Sequence, residues 1–178
     1  MPKKVIKVFR KGQNSLNVNI NLARLEQLEE TLGKRLSARV GILGENNSRA
    51  TSTTNAKGKA VVTKNETLAS QTNAEIGWIH EFGSFTRHIP ERSFLRMPLM
   101  LYLGEEVGKA SSRINKFIMA GKAVEAYAVL GITAEKVIQD AFDTGGFGYW
   151  SKLKYREGSP LILSGQLRKS IHSKVIAV

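Results

Sequence analysis

Cysteine is absent from the 178 residues. That removes disulfides, thiolate metal sites and cysteine nucleophiles together, and it fits synthesis in a reducing cytoplasm. No apolar run reaches the roughly 18 residues that a transmembrane helix needs, so no such helix is expected, and no helix convincingly combines a basic face with an exposed apolar one, so no membrane partner is expected. The N-terminal stretch Met1-Pro2-Lys3-Lys4-Val5-Ile6-Lys7 is basic but has no apolar segment behind it, so no signal peptide is expected. Acidic residues are scarce: 15 Asp and Glu stand against 27 Lys and Arg, a formal charge of +12. There are only four prolines and three histidines. No internal repeat and no interdomain linker is visible, and the length fits one domain over residues 1–178.

The excess positive charge implies an anionic neighbour or a solvated basic surface. It is spread out: residues 3–11, 44–66 and 152–174 each carry several Lys or Arg, with no compact basic motif. A surface that passes close to DNA without reading it is one functional meaning. The aromatic and ring-bearing residues are less evenly spread. Residues 77–99 hold one of two Trp, three of seven Phe, two of three His and two of four Pro.

Taken in order, Val5, Ile6 and Val8 among lysines predict a short strand over 3–10. Leu22, Leu25, Leu28, Leu32 and Leu36 recur at helical steps and predict a helix over 21–36, with Asn21 as N-cap. Residues 37–43 alternate and read as a strand, with Ala38, Val40 and Ile42 on one face. The Gly-, Asn-, Ser- and Thr-rich stretch 44–66 predicts a mobile loop or hairpin that orders against a partner. Thr72-Asn73-Ala74-Glu75 is a capping box for a helix ending near Phe82, with Ile76, Ile79 and Phe82 as its buried stripe. Gly83 falls where a left-handed C-terminal residue belongs.

Pro90 then forces an arch over 83–96, and Ser93 is placed to cap a helix reaching about Gly121. Gly104 and Gly108 predict a bend or close packing there. A further helix is expected over 122–142, striped by Val124, Tyr127, Leu130, Ala134, Val137, Ile138 and Ala141. Trp150 and Leu153 are expected to pack back on the core, Ser164-Gly165 to turn, and residues 168–178 to close the chain as a strand.

His80-Glu81 invites a metal or general-base reading. The second His of a zincin motif would fall at position 84, which is Ser84, so that motif fails. His88 and His172 lie at no ligand-like spacing. No catalytic residue, metal site or cofactor is expected; His80 and Glu81 are better read as hydrogen-bonding the arch. Gly145-Gly146-Phe147-Gly148 lacks the Lys-Ser/Thr of a phosphate loop. Arg87, Arg92 and Arg96, beside Phe85, Phe94 and Leu95, are the mixture that interfaces favour; phosphate binding and simple solvation are the alternatives. Trp78 and Trp150 both also have a core reading.

Two segments resemble a known family. Ile79-His80-Glu81-Phe82-Gly83 with Ile89-Pro90-Glu91-Arg92-Ser93-Phe94-Leu95-Arg96 is similar to a motif of tailed-phage virion morphogenesis proteins, the tail-completion or neck proteins of siphophages and Mu-like phages. Trp150-Ser151-Lys152-Leu153 and Pro160 to Ile171 resemble that family's C-terminal motif. Ser93 stands where the family often has a second Pro, and Ser164 replaces the usual Thr.

The resemblance implies an α+β fold, a small antiparallel sheet packed against long helices with a long flexible loop between strands. It implies a non-enzymatic virion protein of the tail or neck, made in the host bacterial cytoplasm, that completes or caps the tail and joins it to the head. Tail terminator, tail-completion protein and head-side connector are all open. The implied partners are further copies in a ring (a hexamer in related neck proteins), tail-tube and head-connector proteins, and non-specifically the DNA in the channel.

Interface residues expected on this basis are His80, Glu81, Phe82, Phe85, Arg87, Arg92, Phe94, Leu95 and Arg96. Arg49, Lys57, Lys59 and Lys64 are expected on a DNA-channel or assembly loop. The alternative, from the charge and from His80, Glu81 and His88, is a nucleic-acid-binding module or metal-dependent nuclease.

Overall fold

A computed structural model describes residues 4–8, 16–20, 22–49, 52–54, 60–62, 71–153, 157–162 and 164–178. The fold is α+β: a small two-stranded antiparallel sheet packs against long helices. Strands β1 (Lys4–Val8) and β2 (Leu16–Ile20) form an antiparallel hairpin. Only β1 is foreseen from sequence; the alternation Leu16, Val18, Ile20 is the signal for its partner.

Helix α1 (Leu22–Gly33) follows and ends before Leu36, which belongs to the next strand instead of the expected stripe, and two leucines of the stripe face outward. Leu25 is 52% and Leu32 70% exposed, while Thr31 is buried and donates to the Gln27 carbonyl at 2.6 Å. The expected cap Asn21 lies outside the described residues.

Strand β3 (Leu36–Ile42) pairs antiparallel with β6 (Ile171–Ala177), from Leu36 opposite Ala177 to Ile42 opposite Ile171. Between them in sequence, β4 (Ser52–Thr54) and β5 (Ala60–Val62) make a further hairpin inside the expected loop.

Helix α2 (Asn73–Phe82) starts at the capping box, Thr72 accepting from the Glu75 amide and Glu75 from the Thr72 amide. Its buried residues are Asn73, Gly77 and Glu81 rather than Ile76, Ile79 and Phe82. The rotation has a steric cause. A Cβ on Gly77 would come within 2.8 Å of Ile42 and 3.3 Å of Phe94, so the bare backbone lets α2 seat on β3. Phe82 is left 47% exposed, and the expected stripe is corrected accordingly.

Gly83 has φ 73° and ψ 178°, a positive φ without the left-handed helical ψ that was expected. It opens the arch, which the Ser84–Ile89 bridge closes. Helix α3 (Arg96–Met119) is one element; Gly104 and Gly108 have open space around them, so the expected close packing is absent. Helix α4 (Ala123–Thr144) is distinct from it and buries Ala134, Val137, Ile138, Ala141 and Phe142. Near its start the buried residues are Ala123 and Ala126, and Val124 is 52% exposed, so the expected stripe is displaced there.

Helices α3 and α4 pack against one another, pinned by Lys136 on Glu106 at 2.9 Å, and α4 covers both β3 and β6. A short helical turn α5 (Gln166–Lys169) precedes β6, so Arg168 is not in the strand as expected. It pairs instead with Asp143 through both terminal guanidinium nitrogens. The core gathers Phe94, Ile138, Ala141, Phe142, Trp150, Leu167 and Ile171, with Phe142 stacked at a tilt on Phe94 (5.3 Å) and edge-on to Trp150 (5.7 Å).

Candidate functional site: the Glu81 clamp and the arginine cleft

Glu81 sits in the last turn of α2, where a carboxylate opposes the dipole of its own helix. The dipole it serves belongs to the next helix. Its carboxylate is 6% exposed and accepts from the amides of Phe94, Leu95 and Arg96, each at 2.9 Å. It also accepts the Ser93 hydroxyl proton at 2.6 Å. Those amides are donors that the start of α3 cannot satisfy internally. Ser93 Oγ in turn accepts from the Met97 amide at 3.0 Å. One residue of α2 therefore builds the N-terminus of α3, a role distributed between Glu81 and Ser93 rather than held by Ser93 alone.

The C-terminal motif closes on this clamp. Trp150 Nε1 donates to the Ser93 carbonyl at 3.1 Å. Arg92, 7% exposed, donates from Nε and Nη2 to the Ser151 carbonyl at 3.2 Å each. The Arg92 amide donates to the His80 carbonyl at 2.8 Å. The two sequence motifs, far apart in the chain, are one contact network in space.

This reassigns several expected interface residues. Phe94 is 2% exposed and belongs to the core; Glu81 and Arg92 are buried framework. Leu95 and His80 are half-buried. Those presented outward are Phe82, Phe85 at 94% exposure, Arg87 and Arg96. Arg96 pairs with Glu91 at 2.8 Å and lies 5.5 Å over the Phe82 ring. Trp78, expected as readily in the core, is 69% exposed and packs on Phe82 with ring centroids 4.4 Å apart.

The three arch arginines thus do different things: Arg92 ties loops, Arg96 pairs locally, and Arg87 faces a cleft. That cleft consists of adjoining hollows of about 360 and 710 Å³ that share His80, Arg87, Ile89, Arg92 and Leu153. Arg49, Gln71, Ile76, Ile79, Leu161 and Gln166 are among the other residues of the smaller one; His88 and Lys152 line the larger. No Asp or Glu lines either hollow among the described residues.

Arg49 reaches Asn73 Oδ1 at 3.4 Å, and burial alone pulls its guanidinium below its ordinary value. His80 is held neutral: burial first, then the charges of Arg92 and Arg49, lower it to about 4. Its Nδ1 is buried with no hydrogen-bond partner. Of the expected loop residues, only Arg49 is described, and it belongs to this cleft; Lys57, Lys59 and Lys64 lie outside the described residues.

No group of three His, Cys, Asp or Glu among the described residues is placed to hold a metal ion. His172 is on β6, away from the cleft lining. Among the described residues no helix is long and apolar enough to cross a membrane.

The cleft's far wall, Leu153, Leu161 and Gln166, was not foreseen as part of a site. No local sequence signal marks it: Leu153 follows the docked Trp150 and Ser151, and Gln166 comes with the packing of α5 on α2. Glu81 did carry a signal: an acid at the wrong end of a capped helix. Comparison of the chain with family models, with curated proteins and with solved structures gives no match.

Proposed function

We propose that this is a structural protein of a tailed-phage virion, acting at the head–tail junction. It completes or caps the tail and joins it to the head as a homo-oligomeric ring around the DNA channel. Tail-tube and head-connector proteins are its neighbours, and phage DNA passes its basic surface without base-specific contact. The observation that carries this reading is the meeting of the two family-like motifs. Glu81, Arg92 and Ser93 from one motif are hydrogen-bonded to each other or to Trp150 and Ser151 from the other. A motif of this kind builds a rigid platform from which Phe82, Phe85, Trp78 and Arg87 project toward partners.

The test is peptide mass spectrometry of purified particles together with electron microscopy of a gene knock-out. The expected result is the protein in virions, and full heads with unattached or malformed tails in its absence. Intact, joined particles without the protein would sink the reading. A nucleic-acid-binding role is the second reading, favoured by the arginine cleft with no carboxylate in its described lining. It requires affinity for a DNA duplex that falls steeply with salt.

A further inference from the structure

The outward leucine stripe of α1 and the arginine cleft are opposite in chemistry. On α1, Leu25, Glu29 and Leu32 follow one another at four- and three-residue steps, so they share one face. Leu25, Leu32 and Glu29 are exposed, Leu28 beside them is half-buried, and Glu26 and Glu30 are exposed at the flank. An amphipathic helix that shows its apolar stripe to water has a missing partner. The cleft offers aliphatic walls, Ile76, Ile79 and Leu161 among them, with Arg49 and Arg87 among its cations beside the loop-tying Arg92. Among the described residues Arg87 forms no ion pair, and Arg49 reaches an amide oxygen, Asn73 Oδ1, at 3.4 Å.

We propose that the outer face of α1 from one copy docks in the Arg49–Arg87 cleft of a second copy. Leucines meet the aliphatic wall, and the glutamates of α1 meet the two guanidinium groups. This is helix-in-groove recognition with charge complementarity. A nucleic-acid backbone fits less well, because it supplies phosphates but nothing for the aliphatic half of the lining. The two patches differ, so the contact is heterologous: the copy that gives α1 keeps its own cleft free and its partner keeps its own α1 face free, as growth into a ring or filament requires. The inference rests on the proposal that the protein assembles with itself, and it names the two surfaces.

The absence of native cysteine allows a direct test with the full chain. One copy carries Glu26→Cys beside the stripe, another carries Thr86→Cys beside Arg87, and the two are mixed under mild oxidation. The expected result is a mixed disulfide dimer forming at least tenfold faster than with Ser112→Cys, an exposed position on α3, in place of Glu26→Cys. Arg87→Glu added to the second copy is expected to remove that advantage, as is Glu29→Arg added to the first. Both together are expected to restore it. Far-UV circular dichroism confirms that each variant is folded.

A rate equal to the control, or indifferent to the charge changes, overturns the proposal. So does Arg87-dependent binding of a short DNA duplex without mixed dimers, which would give the cleft to phosphates. The assay uses purified protein alone. Its failure with the protein found in virions would remove this docking and leave the head–tail role. Its success with the protein missing from virions would do the reverse.

Discussion

His80 and Glu81 are neighbours on one helical turn, and they represent two regions built on opposite terms. Around Glu81 every hydrogen-bonding capacity is engaged: three amides and a hydroxyl converge on one carboxylate. Around His80 a ring nitrogen is buried without a partner, and guanidinium groups face a hollow with no carboxylate in its described lining. The first arrangement is what a folded chain needs for itself, since a buried acceptor set this complete leaves nothing to offer a partner. The second is costly in isolation and makes sense where something else is to bind. The side of α2 that a residue occupies thus separates satisfied framework from open, unsatisfied surface more sharply than its place in a motif.

The largest expected effect tests the framework half. Glu81→Ala leaves three helix-start amides and Ser93 without their acceptor, and should destabilise the fold by about 3–5 kcal/mol. Glu81→Gln, which keeps one carbonyl acceptor, should lose less. Denaturant unfolding of both variants measures the difference, and equal, small losses would show the clamp to be dispensable.

Of intermediate size is the acid response on the cleft side. The His80 value falls from an ordinary 6.5 to about 4 in the fold, so the unfolded chain binds the extra proton first. Stability from this group is complete above about pH 6.5 and is lost as pH falls toward 4, up to about 3 kcal/mol in all. Urea midpoints across that window should drop less in His80→Gln than in the parent. Parallel curves would mean that the imidazole is not held neutral.

Smallest is the effect of Arg87→Ala on the isolated fold, within about 0.5 kcal/mol. A thermal melt displaced by several degrees would put Arg87 in the framework after all and erase the contrast between the two regions.

Much of the element order was readable from periodicity. Helices α1, α2 and α4 and strands β3 and β6 declared themselves by spacing, and the capping box at Thr72 by its residues. Facing was harder. Spacing predicts a buried stripe on α2, yet Phe82 faces out, and Leu25 and Leu32 of the α1 stripe are exposed too, because periodicity finds an apolar face but not what covers it. On α2 the decision was made by Gly77, whose missing Cβ lets the opposite side come closest to β3.

Phe94 looked like an interface aromatic because it stood among arginines; the packing of Phe142 against it is a long-range fact. The cleft was legible only in pieces. Arg87 and Arg49 are both singled out by the sequence, but Arg49 is placed by its bond to Asn73 at the start of α2 and Arg87 by the Ser84–Ile89 arch after its end, a meeting that no local pattern encodes.

The pairing of β3 with β6 sets a schedule for a chain still being made. Ile42 must wait for Ile171, 129 residues later. At the usual pace of synthesis, about 5–20 residues per second, that is roughly 6 to 26 seconds. During that time β3 has no strand of this pair beside it. The α3–α4 hairpin, made of contacts close in sequence, is complete well before then. The helical pair α3–α4 therefore precedes the β3–β6 sheet in synthesis, and β3 waits for its partner strand longer than any other described strand.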